Sequence, residues 1–80
     1  MQADEVKALL DAGLEGCAVE VAGEGSHFDI RVVGEVFEGK RAVQRQQLVY
    51  AVLNEQIADG SIHAVNIKTF TPAEWRSHSA

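Results

Sequence analysis

The chain is poor in the residues that hold small proteins together by covalent or metal staples. It has one cysteine in 80 residues. Cys17 alone cannot close an intramolecular disulfide, which suits a reducing cytosol, and a cytoplasmic location is expected. No C-x-x-C or H-x-x-x-H spacing occurs, so a closed structural metal site has no local signature. No apolar run reaches the length of a membrane span, and the N-terminus lacks a basic stretch followed by an apolar one; neither a membrane segment nor an export signal is expected. Positive charge is also scarce. Seven Lys and Arg against twelve Asp and Glu leave a net charge of −5. A general nucleic-acid binder carries a basic footprint, because phosphate contacts dominate its affinity, and the chain as a whole does not. The carboxylates are scattered along polar faces, and Cys17 stands in apolar company without a basic neighbour. No catalytic constellation emerges, and the expectation is a protein that is not an enzyme.

What remains is ordinary globular material, 46% hydrophobic and 24% charged. Residues 1–80 read as a single domain with a small core, worth roughly 3–5 kcal/mol. From Gln2 to about Gly13, Val6, Leu9, Leu10 and Leu14 recur at helical spacing, with Asp4 and Glu5 early, where the helix dipole favours them. Cys17 to Ala22 reads as a strand, Gly23-Glu24-Gly25-Ser26 as a turn, and His27 to Val33 as a second strand whose Phe28, Ile30 and Val32 share a face. The pair predicts a hairpin with one solvated face. Gly34 to Gly39 is a connector. Ala42 to Ala58 is the longest helix. A wheel places Ala42, Val43, Val49, Tyr50, Leu53 and Ile57 on one side, and Leu48 and Val52 on another.

The end of the chain carries the clearest local signal. Ile62 to Phe70 reads as a strand, with Val65 and Ile67 alternating against Asn66 and Lys68. By the same alternation His63 shares the face of Val65 and Ile67. Thr71-Pro72-Ala73-Glu74 then has a hydroxyl at N-cap, proline at N1 and glutamate at N3, the start of a helix anchored by Trp75. Arg76 to Ala80 reads as a loose polar tail. The order is α-β-β-α-β-α. Because a long helix separates the second and third strands, they are expected to pair parallel, giving a three-stranded mixed sheet with helices on one face.

Two places offer chemistry. His27 and His63 both begin strands, so parallel pairing brings them to one end of the sheet. Two imidazoles there form an incomplete ligand set that a partner would have to finish. A lone histidine is more often structural than a ligand, so the pairing carries this reading. Lys40, Arg41 and Arg45 cluster at the start of the long helix, where a helix N-terminus and cations can hold a phosphate. The blander alternative is a solvated basic edge. A third reading is a plain interaction module with Leu48 and Val52 at its contact face.

Taken together, Gly25-Ser26-His27-Phe28, Phe37-Glu38-Gly39, the stretch Arg45 to Tyr50, Ile62-His63-Ala64-Val65 and Thr71-Pro72-Ala73-Glu74-Trp75 resemble the BolA-like proteins. The likeness is greatest to the short bacterial branch often called YrbA or IbaG, and it spans nearly the whole chain. The resemblance implies an α+β fold similar to the class II KH domain. It also implies a non-enzymatic role in iron–sulfur cluster assembly or trafficking, with a monothiol glutaredoxin as partner. A [2Fe–2S] cluster would be shared between the two, none being expected in the isolated chain, and its ligand histidine matches His63. A second ligand usually comes from the loop between the first two strands, where this chain has only His27, with Cys17 as a remote substitute. The family is also described as transcriptional regulators of stress response and cell morphology. A KH-type Gly-x-x-Gly loop would fall on Gly39-Lys40-Arg41-Ala42, where the second glycine is missing, and Lys40, Arg41 and Arg45 would be its DNA-contacting cations. Self-association as a weak homodimer is left open.

Overall fold

Residues 2–25 and 27–79 are described by the structure, a computed structural model. The elements are α1 (Ala3–Gly13), β1 (Ala18–Glu24), β2 (His27–Val33), a 3-10 turn (Glu35–Phe37), α2 (Ala42–Ala58), β3 (Ala64–Phe70) and α3 (Pro72–Ser79). The sheet runs β1-β2-β3, with β1 antiparallel and β3 parallel to β2. This is the mixed α+β sheet that the spacing of strands and helices predicts.

Register explains which residues meet. Val19, Val21, Phe28, Ile30, Val32, Val65 and Ile67 fall on one face by alternation, and all are buried or packed against the core. Val6, Leu10 and Leu14 from the α1 region and Val49 and Leu53 from α2 close over that face. Phe37, fully buried, fills the gap between sheet and helices from the 3-10 turn. Removing a side chain like this costs roughly 3–5 kcal/mol, comparable to the whole stability of a small domain. The opposite face carries Glu20, Asp29, Asn66 and Lys68, all exposed, with Arg31 half-buried among them.

Several boundaries differ from those expected. β1 runs from Ala18 to Glu24, so Gly23 and Glu24 pair in the ladder, Glu24 opposite His27. The turn is correspondingly shorter. Its Gly25 is described, while Ser26, like Ala80, lies outside the described residues. The third strand begins at Ala64, after Ile62 and His63. The last segment is helical as far as Ser79, because its Trp75 and His78 have aromatic surface to pack on.

The apolar ring of α2 resolves in one direction. Val49 and Leu53 are buried, with Leu48 and Val52 packed at the core's margin. Leu48 and Val52 are therefore packing residues, and an interaction face built on them is corrected. Val43, Tyr50 and Ile57 face outward instead.

Candidate metal centre at the histidine end of the sheet

Each histidine is placed by a buried neighbour. His27 opens β2 directly before Phe28, which is 3% exposed and fixed in the core. The hairpin register opposite Glu24 sets where the strand begins, and with it the position of the ring. His63 follows Ile62, which is 2% exposed. The chain reaches Ile62 through a tight stop. α2 ends at Ala58, and Gly60 takes φ +84°, a left-handed conformation that side chains disfavour. The Ser61 N–H donates to Asp59 Oδ1 at 2.8 Å, and the Ile62 N–H donates to the Gln56 carbonyl at 3.1 Å. The Ser61 bonds hold the Asp59 carboxyl below its usual range.

Parallel pairing sets His27 opposite Ala64, one residue past His63. The imidazole centroids lie 6.2 Å apart, edge to face, and both rings are exposed. Because His63 precedes the strand, it escapes the alternation that would have sent it toward Val65 and Ile67. A shallow hollow of about 200 Å³ adjoins the pair, lined by His27, Phe28, Asp29, Ala64, Val65 and Asn66. Its far wall is tied across the strands by Asn66 Nδ2 donating to Asp29 Oδ1 at 3.0 Å.

Among the described residues, no group of three or more His, Cys, Asp or Glu gathers to hold a metal ion. The histidine end therefore presents two borderline nitrogen donors on an open surface. A donor set like this can contribute to a metal or cluster held mainly by something else; it cannot enclose one alone. Cys17 is too far along the fold to substitute. It precedes Ala18, which pairs with Val33 at the opposite end of the sheet. Burial pushes its thiol above the ordinary range, which also weakens it as a thiolate ligand.

The basic edge is arranged differently. Gly39 turns the chain with φ +74°, and α2 starts at Ala42 with Arg41 at its N-cap. Arg41 is exposed and Lys40 half-buried. Arg45 is committed elsewhere. Its Nε donates to the Lys40 carbonyl at 2.9 Å, and its Nη1 and Nη2 donate to the Glu74 carboxylate at 2.6 and 3.2 Å. Its side chain is only 14% exposed. The fork fastens α3 to α2, an arrangement that no spacing in the sequence signals. Arg31 is engaged as well, with its guanidinium carbon 4.2 Å from the centre of the Trp75 ring and an ion pair to Glu20 at 2.9 Å.

The sequence and fold match those of known proteins. A family profile described as BolA-like protein matches residues 10–74. The chain is 49% identical over 75 residues to the acid stress protein IbaG of Escherichia coli K12, covering 94% of this chain and 89% of the relative. It superposes on a BolA homologue from Coxiella burnetii with a TM-score of 0.83 at 34% identity, covering 95% of this chain and 97% of the other. The BolA domain of SufE1 from Arabidopsis thaliana matches at 30% identity with a TM-score of 0.79, over 90% of this chain and 93% of that one. No helix among the described residues is long and apolar enough to cross a membrane.

Proposed function

The chain belongs to the BolA-like family, and from that premise we propose that it is a non-enzymatic adaptor in iron–sulfur cluster assembly or trafficking. It docks a monothiol glutaredoxin and contributes His63, with His27 beside it, to a shared [2Fe–2S] cluster. The cluster is cargo, passed through the complex. Likeness to the BolA domain of SufE1 is consistent with an iron–sulfur-related role. The observation that carries the reading is the exposed pair of imidazoles, 6.2 Å apart on a surface with no third ligand among the described residues. Two donors aimed outward make chemical sense when the remaining ligands arrive with a partner.

The donor type matters as much as the position. Imidazole in place of thiolate raises a cluster's reduction potential, and a ligand that competes with protons makes the attachment sensitive to pH. Both properties suit a handover complex better than a permanent store. On the protein side, buried Ile62 and Phe28 anchor the backbone beside two rings that stay exposed.

Titrating a cluster-loaded monothiol glutaredoxin with the protein tests this reading by visible absorption and circular dichroism. The wild type is expected to change the cluster spectrum, and His63→Ala to leave it as it is in the glutaredoxin alone while keeping a native far-UV spectrum. Identical visible spectra with wild type and His63→Ala would remove the ligand assignment. The DNA-binding alternative retains Lys40 and Arg41, while Arg45 is occupied by Glu74. It predicts salt-dependent binding that weakens in Lys40→Ala and Arg41→Ala.

A further inference from the structure

The outer face of α2 lies outside the core cluster, yet it is not a typical solvent face. Val43 is 66% exposed, Tyr50 39% and Ile57 36%. They are spaced seven residues apart, which stacks them in one stripe along the helix. Gln47 and Asn54 lie beside them and are also exposed. The only charged residues of α2 are Arg45 and Glu55, and at about 100° per residue both fall off this stripe. Arg45 is turned toward Glu74. In a chain that is 24% charged, a helix of 17 residues thus presents a seam of valine, tyrosine and isoleucine flanked by the amides of Gln46, Gln47 and Asn54, with no ionised group. Depletion of charge with tyrosine at the centre is the composition of an interface core.

We propose that this seam is the contact surface of a weak, two-fold symmetric homodimer, with α2 packing antiparallel against α2 of a second copy. Charge selects the occupant. A charged partner surface would have its ions desolvated against a face that offers none in return. The matching surface must therefore be neutral, apolar and rich in amides, and this fold supplies one on another copy of itself. With a net charge of −5, two copies repel except where they meet through an uncharged patch. Spacing sets the geometry. Val43 and Ile57 stand equally far from Tyr50 on either side, so a two-fold axis at Tyr50 sets Val43 against Ile57 of the second copy at both ends. Gln47 and Asn54 then come close enough across the seam to exchange hydrogen bonds without ions. The size sets the strength. A seam about 25 Å long and one helix wide buries well under the roughly 800 Å² per partner of a standard interface, so the dimer exchanges freely and forms only at high concentration. The proposal is independent of the histidine site.

Sedimentation velocity from roughly 10 µM to roughly 1 mM tests it. The wild type is expected to shift reversibly from monomer toward dimer over that range. Tyr50→Glu, which places like charges together on the axis, is expected to weaken the dimer at least tenfold with native circular dichroism. An equimolar mixture of Tyr50→Glu and Tyr50→Lys is expected to recover association, which a merely structural role for Tyr50 would not allow. Should Tyr50→Glu fail to fold, Val43→Glu at the more exposed position replaces it, paired with Ile57→Lys in the mixture. A wild type that stays monomeric throughout overturns the proposal, and so does a dimer indifferent to these charges.

Discussion

Where β2 and β3 finish, a chain of hydrogen bonds and stacked rings ties the elements together; where they begin, two imidazoles stand in the open. At the finishing end, the Gly34 N–H donates to the Phe70 carbonyl at 2.9 Å. The Thr71 N–H donates to Glu74 Oε1 at 2.9 Å, while the Glu74 N–H donates to Thr71 Oγ1 at 3.1 Å. Arg45 clamps the same carboxylate from α2. Trp75 lies among Phe70, His78 and Arg31, covering part of the face that α1 and α2 leave bare. At the beginning end, Phe28 and Ile62 anchor the backbone and Asn66 bonds Asp29 across the strands, while the two imidazoles stay exposed. The lesson concerns division of labour: a small core leaves little stability to spare, so binding groups sit where their removal costs least, and the fastening is concentrated at the far end.

That contrast can be broken from the closed end first. Trp75→Ala removes the aromatic anchor of α3 and is expected to cost roughly 2 kcal/mol, read as a lower urea midpoint, with cluster-dependent spectra of the surviving native fraction unchanged. Thr71→Ala deletes an N-cap and is expected to cost about 1 kcal/mol by the same measurement. At the open end, His27→Ala and His63→Ala are expected to move stability by less than about 0.5 kcal/mol, since both rings are exposed, even as His63→Ala abolishes the mixed cluster signal.

A finer effect is set by pH. The hydrogen bond from Arg45, then that from the Thr71 N–H, holds the Glu74 carboxyl below its ordinary 4.5. A depressed folded-state value means that the stabilisation is present above the unfolded value and fades as pH falls through the folded one. Glu74→Gln is therefore expected to be less stable than wild type at neutral pH, with the difference shrinking as pH falls below the ordinary carboxylate range. A constant gap between the two denaturation curves across that range would show that the charge of Glu74 contributes nothing.

How legible each end was follows from the range of the forces involved. The capping box at Thr71 is local, so four consecutive residues announced it. The meeting of His27 and His63 needed one topological step, the parallel pairing forced by a long crossover helix, and the sequence carried that too. The Arg45–Glu74 fork joins residues 29 apart, and nothing local distinguishes Arg45 from its exposed neighbour Arg41. Helix α2 misleads for a different reason. Its apolar residues circle it, so the period cannot choose between Tyr50 and Leu48 as the inward side; only the packing of α1 and the sheet decides. The first strand starts at Ala18, one residue after Cys17, and its antiparallel register puts that thiol at the end of the sheet away from the histidines, a pairing that no local signal around Cys17 announces.

The chain's three histidines distinguish the two ends of the sheet in one experiment, because two sit at the open end and His78 sits at the closed one. The measurement is a nuclear magnetic resonance titration of isotope-labelled protein with cluster-loaded, reduced monothiol glutaredoxin, following the imidazole signals. Paramagnetic broadening is expected to erase those of His27 and His63 while leaving His78 sharp. Equal broadening of all three, or loss of His78 alone, would rule out cluster ligation by the histidine pair.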